Sequence, residues 1–402
     1  MPSNDVQHTR LLTITGWMCL VVYSLLLSVG VWGAGIWGIL GIALSIVLFG
    51  MTWWGMRRVP RPDYFQFGMA VVFLVGAAIL NLFSIDSAIS WHKWKNLLTI
   101  LIPLSLLSAP AIRVQLFRKE FFTLLPCIAG VAALLLGLEL YSGAAFMTYI
   151  KGDHGSLKSA MNDYNRPFSY MVLMVFPLAA AIWHSPYRRW LALFAATLLI
   201  PTALSESSSA QLSLMLGVGA AIAATVLPRL TRYGLSVASL LVIGVPFAMR
   251  WVMERYYDSL HNLQASWRHR VEILDYVSYR ILEHPWMGWG LGSSRFLSSD
   301  SPHAMHYAYA LKPAGHPHNM MAQIWVELGI FGLVVAIVFQ QITLRRAAVM
   351  PGSLAPFAIG AWAVAFGLSL TAYDLWTDSL FAAFALTGLA FAGLRQRLQA
   401  GK

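Results

Sequence analysis

The chain has 402 residues, 58% of them hydrophobic and only 11% charged, which excludes the two or three soluble domains that this length would otherwise imply and points to a membrane protein. Its two cysteines, Cys19 and Cys127, both lie inside apolar runs, excluding a disulfide scaffold and a cysteine-ligated zinc or iron–sulfur site. The formal net charge of +11 falls in short clusters between apolar runs rather than along one face, so the expected surroundings are membrane lipids and no nucleic acid.

In chain order, twelve stretches approach the ~20 apolar residues that cross a bilayer. They lie at about 11–31, 36–56, 65–84, 96–110, 120–141, 167–184, 188–204, 210–227, 233–249, 319–342, 353–372 and 376–394. The first has no small-residue cleavage pattern and runs directly into a second, which predicts an anchor rather than a removable signal. Alternate loops carry the basic clusters: Arg57, Arg58 and Arg61; Arg113, Arg118 and Lys119; Arg188 and Arg189; Arg229 and Arg232; Arg345 and Arg346; Arg395 and Arg397. With Arg10 and Lys402, that side holds 16 cations against 3 acids, and the opposite side holds 12 against 14. The positive-inside rule then predicts both termini in the cytoplasm.

The expected architecture is therefore all-α: a multi-pass membrane protein of about twelve transmembrane helices with one large outward loop. It divides into an N-terminal bundle over 1–249, the loop over 250–318, and C-terminal helices over 319–402. Loops this long are uncommon unless they form a site. A second, smaller polar loop covers Ser142 to Arg166.

Seven of the eleven histidines lie between His261 and His318. None has the regular helical spacing with carboxylates that a metal site of the H-E-x-x-H kind uses, so no metal is expected. The most informative run is Gly315-His316-Pro317-His318-Asn319 at the outer entrance of the tenth stretch. A helix from Asn319 puts Asn319, Gln323 and Glu327 on one face, four residues apart. Glu327 then sits about 13 Å deeper than His318, where a carboxylate faces either a functional cavity or a partner within the bundle. Arg268, Arg270 and Arg166 stand on the outer side, where the positive-inside rule does not explain them; a guanidinium there can bind phosphate bidentately or simply meet solvent and headgroups. Arg250, Arg255, Arg280 and Arg295 read as solvated, Gly288 to Gly292 as a turn, and Ser205, Ser207, Ser208 and Ser209 as a polar loop with no associated base. Gly329 and Gly332 read as packing positions.

His318-Asn319, nine residues, then Gly329-Ile330-Phe331-Gly332 resembles the H-[N/S/Q]-x9-G-x-x-G signature of the bacterial O-antigen ligases. Arg270, Glu283-His284-Pro285 and Gly288-x-Gly290 resemble the family's preceding segment. The resemblance is specific over about 270–332 and architectural elsewhere. It implies a multi-span, GT-C-like inverting glycosyltransferase of the bacterial inner membrane with its active site facing the periplasm. Such an enzyme moves a polysaccharide from undecaprenyl diphosphate to a sugar hydroxyl of lipid A–core, without metal, nucleotide or other cofactor. The resemblance makes His318 the general base and Arg270 a diphosphate ligand, with Arg268 as the alternative in the same role and Asn319, Gln323 and Glu327 in support. Where family members often carry an arginine beside serine, this chain has Ser207-Ser208-Ser209-Ala210, and Arg166 becomes the expected source of that charge. An O-antigen polymerase is the nearest rival, and a flippase for lipid-linked sugar is the rival from another class, although no internal repeat or paired interrupted helices of the transporter kind are visible.

Overall fold

The structure is a computed structural model that describes residues 4–56, 59–109, 119–151, 161, 163–371 and 374–400. The basic residues Arg57, Arg58, Arg113, Arg118 and Lys402, and residues 152–160 and 162 of the smaller loop, lie outside the described residues. Among the described residues every regular element is helical. In chain order the helices are α1 (Asn4–Ser28), α2 (Gly35–Met56), α3 (Tyr64–Leu80), α4 (Ser87–Leu106), α5 (Lys119–Tyr141), the short α6 (Ala145–Lys151), α7 (Asn165–Trp183) and α8 (Leu191–Leu204). There follow α9 (Ser208–Val226), α10 (Pro228–Leu241), α11 (Val245–Tyr256), α12 (Ala265–Glu283), α13 (Met320–Ala348), α14 (Leu354–Thr371) and α15 (Asp378–Ala400).

Nine helices among the described residues are long and apolar enough to cross a membrane, which makes the protein a polytopic all-α membrane protein. The other three expected stretches are helical too, but shorter or more polar. In α1 the apolar part is Thr13–Ser28, α8 has only 14 residues, and α4 starts well before residue 96. Asp86 sets that start by accepting the Ile89 N–H at 3.0 Å, a side-chain cap, and this brings Lys93 onto the helix. At the other end of the bundle, α10 and α11 continue as one helical run, Pro228–Leu260. The expected boundary at 249/250 therefore falls inside a helix, where Arg250 and Glu254 pair one turn apart at 3.0 Å.

Small residues let the spans approach closely. Where α9 runs along α14, a Cβ on Gly217 or on Gly360 would lie 2.9 Å from the other residue's carbonyl oxygen. The outward loop has its own core, in which Met253, Ile273, Val277, Ile281 and Leu297 pack with Ala322 and Val326 from the start of α13. Two fully buried carboxylates on α12 hold the coil that follows. Glu272 accepts the N–H groups of Ala308, Tyr309 and Ala310 at 3.0, 2.8 and 2.9 Å. Asp275 takes the Tyr307 hydroxyl, the Ser301 hydroxyl and His303 Nδ1. The loop is thereby a packed cap on the N-terminal end of α13 rather than a solvated excursion.

Candidate functional site: a broken helix beside a histidine pair

Helix α13 is interrupted at Gly329, where the backbone turns to φ +59° and ψ −157°. Gly288 approaches the break so closely that a Cβ on it would sit 2.5 Å from the Glu327 carbonyl. The break would leave carbonyls and an N–H unpaired inside the bundle, and the Pro285–Gly290 segment satisfies them. Trp289 N–H donates to Val326 O, Gly290 N–H to Glu327 O, and Ile330 N–H to Pro285 O, at 2.9, 2.9 and 3.0 Å. From the opposite side the α3–α4 corner clamps the same run: Ser90 Oγ donates to Leu291 O at 2.9 Å, and Asn81 Oδ1 accepts the Leu291 N–H at 3.4 Å.

Glu327 is fully buried at this junction and accepts four hydrogen bonds. The donors are Gly292 N–H (2.6 Å), Ser294 Oγ (2.5 Å), Trp376 Nε1 (2.6 Å) and Gln323 Nε2 (3.3 Å). Gln323 also donates to Asp374 Oδ1 at 2.7 Å and accepts the Leu375 N–H at 3.1 Å. Thus the helical stripe exists, with Gln323 and Glu327 linked one turn apart, while Asn319 Oδ1 instead caps α13 by accepting the Met321 and Ala322 N–H groups at 3.0 and 3.1 Å. These contacts are ones that an amide can largely keep. In Glu327→Gln the carbonyl oxygen still takes Gly292 and Trp376, the amide donates to the Ser294 hydroxyl, which can turn, and only the long 3.3 Å contact from Gln323 is given up while Gln323 keeps Asp374 and Leu375. Glu327→Leu orphans two fixed donors, each costing about 1–3 kcal/mol. Glu327→Gln should therefore melt near the wild type and stay active while Glu327→Leu loses both; an inactive but stably folded Glu327→Gln would instead make the carboxylate chemical.

His318 stands just before the Asn319 cap with φ +53°, a left-handed backbone uncommon outside glycine and recurrent at functional sites. Its N–H donates to His316 Nδ1 at 3.3 Å, and the two rings lie 4.1 Å apart. His318 Nδ1 is buried and has no hydrogen-bond partner among the described residues. Burial first, then His316, Arg270 and His269, push the His318 imidazole down to about 3. His316 is pushed down to about 4, by burial and by Arg166, Arg270 and Arg295, against the opposing pull of Asp374. Both rings are therefore neutral near pH 7, the form that can accept a proton.

Arg268 and Arg270, two residues apart on α12, point about 200° apart around the helix, so one helix cannot aim both at one place. Arg268 turns into the loop's own core, donating to Glu272 Oε1 at 2.9 Å and to His306 O at 3.2 Å. Arg270 turns to the outer ends of α9 and α14, donating to Thr371 O at 3.2 Å and Ser209 Oγ at 3.4 Å. Arg166, exposed at the start of α7, contributes to the field on His316. The structure thus sets Arg270 where its charge is felt by both His316 and His318 and Arg166 where its charge is felt by His316, and sends Arg268 elsewhere. It also gathers residues that the sequence pattern left unmarked. Asp374 pairs with Lys93 at 3.2 Å and approaches Arg295 at 3.7 Å, and against burial its carboxyl is held below the usual range by Gln323 and Lys93. Of the other loop histidines, His303 is bound to Asp275, His306 stacks on Tyr257 at 4.0 Å and His284 packs on Trp289.

Residues 191–337, a little over a third of the chain, match the model of the O-antigen ligase family. The matched stretch contains Arg270, His318, Glu327 and the Gly329 break, but not Arg166, Lys93 or Asp374. Among similar proteins, "Putative polysaccharide ligase RC0486" of Rickettsia conorii is 37% identical over 75 residues, 18% of each chain. A "Putative polysaccharide ligase" of Rickettsia felis is 32% identical over 112 residues, 27% of this chain and 26% of its own. A third, from Rickettsia prowazekii and similarly named, is 36% identical over 74 residues, 18% of each chain. The chain thus matches only about a fifth to a quarter of the length of these curated relatives.

Proposed function

We propose that the protein is an O-antigen ligase that transfers a polysaccharide from undecaprenyl diphosphate to a sugar hydroxyl of lipid A–core at the periplasmic face of the inner membrane. The observation that carries this reading is a neutral imidazole, His318, with an unfilled polar position, set among cations at the outer end of a membrane span. His318 takes the proton of the acceptor hydroxyl as its oxygen attacks the anomeric carbon. The bond from that carbon to the diphosphate oxygen breaks with inversion, and undecaprenyl diphosphate leaves with the electron pair. Arg270 and Arg166 hold the diphosphate, and Arg295 and Lys93, now shared with Asp374, are in place to add charge. Fixed donors aimed at a leaving anion lower the barrier without reorganising when the charge arrives. The reading orients the chain with its basic loops and both termini in the cytoplasm, in line with the charge asymmetry.

The test is reconstitution of the purified protein with lipid-linked polysaccharide and lipid A–core. A covalent lipid A–core conjugate is the expected product. Lengthening of the undecaprenyl-linked chain would identify a polymerase, and translocation without a new bond would identify a flippase. Within that assay Arg270→Ala should cost about 10²-fold or more in transfer rate. Arg268→Ala should instead lower the melting temperature, because it strands the buried Glu272 at a cost of about 3 kcal/mol. If Arg268→Ala is stable and Arg270→Ala fully active, the diphosphate ligand is misassigned.

A further inference from the structure

A separate cavity of about 630 Å³ lies within the bundle, walled by α3, α4, α13, α14 and α15. Its lining is sorted by depth in the same direction on three helices. Phe73 on α3, Leu101 on α4 and Ile324 on α13 line the half nearer the outward loop. Gln66, Ser105 and Thr343, on the same three helices, line the half toward the basic loops, and Arg346 and Arg395 stand at that mouth. Arg346 shares one Asp63 oxygen between its two terminal nitrogens at 3.2 Å and remains 39% exposed, and Arg395 is exposed. With Asp63, the mouth carries one net positive charge.

A lining apolar at one end and cationic at the other fits an amphiphile lying along the membrane normal, and the charge fixes which way round it lies. We propose that the cavity holds a hydrocarbon chain of an anionic phospholipid from the leaflet on the basic side, with its phosphate on Arg395 and Arg346. The charged end of this lipid faces away from His318. A guanidinium binds phosphate by charge-assisted hydrogen bonds, and the chain gains little from leaving other lipid, so selectivity must come from the mouth.

The test is native mass spectrometry of the full chain released from nanodiscs of phosphatidylglycerol, of phosphatidylcholine, and of both with undecaprenyl phosphate added. The wild type should retain one phosphatidylglycerol through release, about tenfold more than phosphatidylcholine, because both offer a phosphate but only the choline headgroup adds a cation against the net positive mouth; tenfold corresponds to about 1.4 kcal/mol. Arg395→Gln, at an exposed position, should erase that preference. Ala336→Phe, which fills the middle of the cavity, should remove retention of both lipids. Equal retention of the two lipids by the wild type, an unchanged preference in Arg395→Gln, or displacement of phosphatidylglycerol by undecaprenyl phosphate would overturn the proposal. Because Arg395→Gln leaves the packed interior alone, its result stands even where Ala336→Phe fails to fold.

Discussion

His318→Ala should fold, bind lipid-linked polysaccharide and transfer it about 10²–10⁴ times more slowly than the wild type, the range lost when a positioned base is removed. Folding should survive because the ring makes no side-chain hydrogen bond among the described residues: Nδ1 is unpartnered there, and the contact to His316 comes from the main-chain N–H. The pH profile separates this role from a merely structural one. The unliganded protein keeps the imidazole neutral until about pH 3, whereas a free histidine is half protonated near pH 6.5. Since the neutral form is the base, kcat/KM should stay level as pH falls from 7.5 to about 5 rather than halving near 6.5. Bound diphosphate brings negative charge to the same ring and raises its pKa, so the acid limb of kcat should lie at higher pH than that of kcat/KM. A kcat/KM midpoint near 6.5 would place the proton on another group, and an active His318→Ala would remove the assignment altogether.

Gly329→Ala should yield little folded protein. The backbone at φ +59°, ψ −157° lies in a region essentially reserved for glycine, costing about 1–3 kcal/mol for any other residue. A Cβ there would also sit 2.2 Å from the Trp286 carbonyl oxygen, a backbone atom that cannot swing aside. Relieving the clash means separating the loop from the break, which strands the Val326 and Glu327 carbonyls and the Ile330 N–H. Each orphan costs about 1–3 kcal/mol, so the combined loss is comparable with the whole stability of a typical domain, about 5–15 kcal/mol. Gly315→Ala is the control, because nothing lies within 4 Å of a Cβ at that position. Thermal melting and size-exclusion profiles in detergent would decide it: a Gly329→Ala protein that melts with the wild type means the break is not required.

Local chemistry made part of this legible in the sequence. The apolar runs correspond to helices because bilayer thickness sets their length, and the four-residue spacing put Gln323 and Glu327 in register. The break at Gly329 was not legible. The carbonyls it frees are met by residues about forty positions earlier, and no local pattern marks that pairing. For the same reason Gly288 to Gly292 read as a plain turn, and Ser209 as part of a loop, although its hydroxyl meets Arg270. Asp374 gave no signal, since its partners Lys93 and Gln323 are 281 and 51 residues away in sequence.

The junction beneath His318 is built in the order in which the chain is synthesised. The Asn81–Ser90 corner exists before the Gly288–Leu291 run that settles on it, that run exists before the interrupted helix whose carbonyls it receives, and Trp376 arrives last to close over Glu327. Each newcomer finds its receptor already waiting, so the membrane never has to shelter naked carbonyls for long. A nascent protein stopped short of residue 376 would hold every element of the pocket yet leave it unlatched.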